Sequence, residues 1–152
     1  MKDEAKNEEC VIYTDGGSRG NPGIGGWGAF VTCGSSRQEL SGTEDLTTNN
    51  RMELTAAIEG LKSMDDSQIV SLYTDSTYVK DGITKWITNW KSNGWKTAAK
   101  KPVKNKDLWI ALDEQVNRLE VEWHWVKGHD GHEGNERADE LCNEAMDGLE
   151  LR

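Results

Sequence analysis

Two short apolar, β-branched runs in this chain end in the same tripeptide. Cys10–Thr14 reads C-V-I-Y-T and runs into Asp15; Ile69–Thr74 reads I-V-S-L-Y-T and runs into Asp75. Runs of this length and composition predict buried strands. If the two strands are parallel neighbours, both aspartates reach the carboxyl edge of one sheet, where open α/β sheets bind ligands. Each aspartate alone has a plainer reading as a turn opener or helix cap, and Asp75 ahead of Ser76 suits that role. The matched pair favours convergence at a site.

The rest of the chain supplies the sheet and its cover. Asp15 to Gly23 is dense in turn formers. Gly26–Cys33 and Arg37–Thr43 read as a second and third strand joined by Gly34-Ser35-Ser36. Asn50–Met64 is helical, with Leu54, Ala57, Ile58 and Leu61 on one face. Helical material follows from about Ser76 to Lys91, then a lysine-rich connection. A helix over Asp107–Arg118 has Leu108, Ala111, Leu112 and Gln115 at helical spacing, Val121–Val126 is a last strand, and Asn135–Met146 is a final helix with Ala138, Leu141, Cys142 and Ala145 inward. Three consecutive strands, then strands separated by helices, predict an α/β fold: a five-stranded mixed sheet flanked by helices.

At 152 residues the chain is expected to be one domain. No run of 18 apolar residues offers a membrane span, and Met1 to Glu9 lacks the apolar segment of a secretory signal. Cys10, Cys33 and Cys142 are odd in number and far apart. They are expected to be buried free thiols in a reducing cytoplasm, fitting neither a disulfide framework nor a zinc site. The net charge of −9 argues against a nucleic-acid partner, but it is unevenly spread. Lys80 to Lys106 holds eight lysines and one acid, a net of +7, which leaves −16 elsewhere. Trp86, Trp90 and Trp95 lie within that segment. Lysines interleaved with aromatics suit phosphates, sugars and bases, and equally a solvated helix pair with its tryptophans in the core.

Two further acids are ambiguous alone. Glu53 fits a capping box, Asn50-Arg51-Met52-Glu53, and Asp139 lies one position off the inward face of the last helix. With their surroundings they are no longer anonymous. TDGGSRGNPGIGGWG (14–28), TTNNRMELTA (47–56), YTDSTYV (73–79), WKTAAKKPVKNKDLW (95–109) and VKGHDGHEGNERAD (126–139) occur in this order. In these blocks the sequence resembles the ribonuclease HI family, the small bacterial-type ribonucleases H, from roughly Cys10 to Met146.

The resemblance implies a ribonuclease H-like fold and an endoribonuclease that hydrolyses the RNA strand of RNA–DNA hybrids, leaving 5′-phosphate and 3′-hydroxyl ends. It implies that Asp15, Glu53, Asp75 and Asp139 hold two Mg²⁺ ions, with Mn²⁺ able to substitute. Four carboxylates about 6 Å apart repel by roughly 3 kcal/mol per pair at an effective dielectric near 20, so such a cluster needs cations. Hard oxygen ligands select these metals. His129, on a glycine-flanked loop, matches a histidine that assists proton transfer or product release. Asn21, Asn49 and Asn50 match asparagines near the two strands, and Thr48 and Asn105 match a pocket gripping a DNA phosphate. The segment 80–106 matches a basic protrusion in which Trp86 lies beside the DNA strand and Lys91, Lys96, Lys100, Lys101 and Lys104 supply charge. Leu46 and Thr77 depart from the arginine and glutamine common there. Residues 1–9 form an extension and 147–152 a tail without assigned role. A monomer is expected. The alternatives are a hybrid-binding module without catalysis and another nuclease on the same fold.

Overall fold

The computed structural model describes residues 9–127 and 133–151. Its sheet has the strand order β3-β2-β1-β4-β5, with β1 at Cys10–Gly20, β2 at Gly23–Cys33, β3 at Ser36–Thr47, β4 at Ile69–Thr74 and β5 at Glu120–Trp125. The first three strands form an antiparallel meander, and β1, β4 and β5 run parallel. The expected mixed sheet is therefore present. Its central parallel pair is the one marked by the repeated tripeptide, with Tyr13 opposite Tyr73. Asp15 and Asp75 follow at equivalent positions.

Helix α1 (Asn49–Lys62) lies on one face of β1 and β2. Its predicted stripe of Leu54, Ala57, Ile58 and Leu61 is buried against Ile12, Ala29, Val31 and Leu72. Then come α2 (Thr77–Asp81), a π-helical turn (Gly82–Trp86) and α3 (Ile87–Asn93), which ends at Gly94 in the left-handed conformation, φ 77°. Helix α4 (Lys106–Arg118) packs on α1. Its inward face is centred on Trp109 and Leu112, both 0% exposed, with Leu108 and Ala111 at the margin. Trp109 thus belongs to the core although the predicted stripe omitted it. Trp90 packs against it with ring centroids 5.4 Å apart, so the tryptophans of the basic segment anchor that segment to the core.

Two guanidinium groups join α1 to α4. Arg51, in the first turn of α1, reaches Asp107 at 2.8 Å and Asn105 at 3.2 Å. Arg118, at the end of α4, donates to the carbonyls of Leu61 and Met64 at 2.9 and 2.8 Å, capping the far end of α1.

Helix α5 (Glu133–Glu150) covers the other face of β1, β2 and β3 through Ala138, Leu141, Cys142 and Met146. It includes most of the expected tail. Arg19 in β1 pairs with Asp147 and Glu150 at 2.8 and 2.6 Å, supplying the positive charge that the last turn of α5 lacks. Among the described residues no helix is long and apolar enough to cross a membrane.

The cysteine expectation is corrected. Cys10 and Cys33 face each other as the last pair of the β1–β2 ladder, their Cα atoms 4.3 Å apart, and form a disulfide. Spacing along the chain conceals this, because hairpin register creates the proximity. Cys142 is free and buried, as expected, and burial with the nearby acids pushes its thiol up to about 12. Closing 23 positions corresponds to about 3 kcal/mol in the chain-entropy picture. In denaturant without reductant, thiol titration should therefore find one reactive cysteine, rising to three after reduction, and the reduced protein should melt several degrees lower. Three thiols before reduction would contradict the pairing.

Candidate metal centre

The turn formers from Asp15 to Gly23 do not make a turn as long as their composition suggests. The β1–β2 ladder continues through them, Asp15 opposite Gly28 and Gly20 opposite Gly23, so only Asn21-Pro22 bridges the strands. Glycine serves here for close approach. A Cβ at Gly16 would collide with the backbone of Met52 and Glu53, and one at Gly28 with the backbone of Ala138 and Cys142. The gap at Gly16 lets α1 settle against β1 beside Asp15, and the gap at Gly28 lets α5 settle against β2 at the position paired with Asp15.

Three carboxylates converge as a result. Asp15, Glu53 and Asp75 each offer an oxygen, and these oxygens lie within 4.8 Å of one another. Asp139 joins them through a hydrogen bond between its carboxyl group and that of Asp15.

The capping roles that could have occupied these acids fall to their neighbours. Thr48 caps α1, accepting the Arg51 N–H at 3.3 Å, so the capping box expected at Asn50–Glu53 is not formed. Ser76 caps α2, accepting the Val79 N–H at 3.2 Å, which leaves the Asp75 carboxylate for the site.

The electrostatics follow from this crowding. Burial, the hydrogen bond with Asp139 and the charges of Asp75 and Asp139 push Asp15 up to about 8, against the opposing Gly16 N–H, which donates to it at 3.0 Å. Glu53 is raised well above the usual carboxylate range by burial and then by Asp15 and Asp75. Its Oε1 is buried without a hydrogen-bond partner among the described residues. An orphaned buried oxygen beside three other acids is costly unless a cation meets it. This all-oxygen donor set suits a hard divalent ion.

The expected substrate residues are gathered in part. Asn21 Oδ1 accepts the Asn49 N–H at 3.2 Å, and Asn49 Oδ1 accepts the Ser18 N–H at 2.7 Å, tying the hairpin tip to the start of α1. Asn50 is exposed beside them. Thr48 and Asn105 meet through Arg51, while Asn105 Nδ2 donates to the Tyr78 hydroxyl at 3.1 Å. Lys96, Lys100, Lys101 and Lys104 are exposed, and Trp86 is half-buried against the Tyr78 ring. Lys91 is diverted to Asp113 at 3.2 Å. Leu46 is 73% exposed, and Thr77 opens α2. His129 lies outside the described residues. Sequence reasoning missed Arg51 and Gly16. Arg51 carried no local signal, and Gly16 was hidden among glycines read as turn formers.

Residues 7–147 match the family model described as RNase H. The ribonuclease H of Hydrogenovibrio crunogenus is 65% identical over 142 residues, spanning 93% of this chain and 98% of that protein. The chain belongs to the ribonuclease H family. Among solved structures of ribonucleases H, LC9-RNase H1, a type 1 enzyme with the type 2 active-site motif, is similar with TM-score 0.82 and 34% identity over 93% of this chain and 74% of that one. LC11-RNase H1, solved in complex with an RNA/DNA hybrid, is similar with TM-score 0.69 and 27% identity over 92% and 98% of the two chains.

The raised acids have a measurable consequence. Between about pH 4 and 8 the folded, metal-free chain holds a proton on Asp15 that the unfolded chain releases, and Glu53, also raised, acts in the same direction. Their contribution to stability is complete below the unfolded value and is lost as pH rises through about 8 for Asp15. Divalent ions compete with those protons. The rise in melting temperature on adding about 10 mM Mg²⁺ should thus be small at pH 5 and larger at pH 8.5. A rise independent of pH would contradict this account.

Proposed function

We propose that this member of the ribonuclease H family hydrolyses the RNA strand of RNA–DNA hybrids with two divalent ions, Mg²⁺ by preference and Mn²⁺ as substitute, leaving 5′-phosphate and 3′-hydroxyl ends. The convergence of Asp15, Glu53 and Asp75, with Asp139 beside Asp15, carries this reading. Asp15, Glu53 and Asp75 would hold the ion on the nucleophile side, and Asp15 and Asp139 would hold the other. Ions bound there would supply positive charge for activating water and for stabilising the leaving 3′-oxygen at phosphorus.

The chain's own groups do the rest. Gly16 N–H orients the Asp15 carboxylate at 3.0 Å, and the Ser76 hydroxyl orients that of Glu53. Asn21, Asn49 and Asn50 address sugar hydroxyls and minor-groove edges, which an A-form duplex exposes. Thr48 and Asn105 grip a DNA phosphate, with Arg51 fixing them relative to each other. Trp86 lies along the DNA strand, and Lys96, Lys100, Lys101 and Lys104 neutralise phosphates, while Lys91, paired with Asp113, contributes less. His129 assists proton transfer or product release. The protein works as a single-domain monomer.

Labelled hybrid incubated with Mg²⁺ should be cut by the wild type, and Asp15→Asn should slow cleavage on the order of a thousandfold or more. Equal cleavage by both proteins sinks the mechanism. Reversing the charge of Lys96, Lys100 and Lys101 should raise KM several-fold and flatten its salt dependence, with kcat little changed; an unchanged KM would count against the protrusion as a hybrid-binding surface.

A further inference from the structure

The β4–β5 ladder ends at Thr74, whose carbonyl accepts the Val126 N–H at 2.9 Å. Asp75 lies one residue beyond that last bond, where the chain bends toward the Ser76 cap of α2. A metal-site carboxylate at this place depends on how well the backbone beneath it is held, because small displacements of a ligand are costly to an ion with strict geometry.

Trp125, the last residue of β5 and the partner of Thr74 in the ladder, reaches this point from the side. Its indole N–H donates to the Asp75 carbonyl oxygen at 3.3 Å. The indole is itself fixed. Lys80 Nζ sits 4.6 Å from its ring centroid, and Ile83, Thr84 and Trp123 line the same cleft. Lys80 belongs to α2, the helix that Ser76 caps. The ring is therefore tied to both segments that Asp75 connects. Its burial alone does not account for a tryptophan here, since 41% of the residue remains exposed at the edge of the sheet.

We infer that Trp125 is a positioning residue for the metal centre: its indole N–H holds the Asp75 backbone so that the carboxylate meets the divalent ion, and Lys80 locks the ring in the donating orientation. The inference rests on the metal-dependent reading of the site and adds to it a group that touches neither ion nor substrate. Trp125→Phe keeps an aromatic ring under Lys80 and removes the N–H.

The test reads ion binding directly, by calorimetry with Mn²⁺ alone, on wild type and Trp125→Phe. The variant should bind roughly threefold to tenfold more weakly, the range that one neutral hydrogen bond spans. Its Mg²⁺ requirement for hybrid cleavage should rise by a similar factor, with KM for the hybrid unchanged. A merely structural role would lower the melting temperature and leave ion affinity alone. In the wild type, the ¹⁵N–¹H signal of the Trp125 indole should move when Mg²⁺ is added, and that of Trp95 in the basic segment should not. Ion affinity of the variant within twofold of wild type overturns the assignment. So does an unmoved Trp125 signal, should the variant fail to fold. Failure of the metal-dependent reading itself is distinguishable, because the wild type would then neither bind ions nor cut hybrid.

Discussion

Parallel pairing of β1 with β4, in the register that sets Tyr13 beside Tyr73, is the constraint on which the rest depends. It delivers two aspartates to adjacent positions at one sheet edge, where their charges oppose each other. Chain repulsion alone would splay such an edge, so the surrounding structure is arranged to hold it closed. The gap at Gly16 brings Glu53 in from one face, and the gap at Gly28 brings α5, with Asp139, in from the other. The Thr48 and Ser76 hydroxyls satisfy the helix termini that these acids would otherwise have served. The fold stabilises an arrangement whose electrostatic cost stays local and is relieved by protons or cations.

Much of this was legible in the sequence, and the parts that were not share a cause. The strand that carries Asp15 and the one that leads into Asp75 were readable because short β-branched runs and a repeated tripeptide are local signals, although β1 runs on to Gly20. The stripe of α1 was readable from its periodicity. Pairing of Cys10 with Cys33 was not, because it depends on the register of a hairpin and not on spacing along the chain. The glycines after Asp15 were misread as an extended turn, since composition does not distinguish a glycine needed for a bend from one needed for a neighbouring helix. Glu53 was ambiguous on its own because Asn50–Glu53 has the spacing of a capping box, whereas the cap is made by Thr48, two residues before Asn50. Trp109 fell outside the predicted stripe because an amphipathic pattern of this length admits a rotation of the helix by one position.

The charge distribution carries a similar lesson. A net of −9 describes no part of this molecule. Part of the acidity is concentrated where cations are called for, and the lysines stand together on a segment whose tryptophans pack back onto Trp109. That aromatic packing gives the basic segment a firm base, so its positive charge is presented on a fixed surface. Diversion of Lys91 to Asp113 reduces the charge that the segment presents outward.

The two guanidinium contacts between α1 and α4 have a mechanical consequence. Arg51 fastens the helices where both begin, and Arg118 fastens them where both end. A pair of rods riveted at one point can scissor; riveted at both, it behaves as a plate. One edge of this plate carries Glu53, and another meets the lysine-rich segment at Asn105. A load applied to that segment is thus transmitted to the acidic edge as movement of a stiff panel, with little taken up by swivelling between the helices.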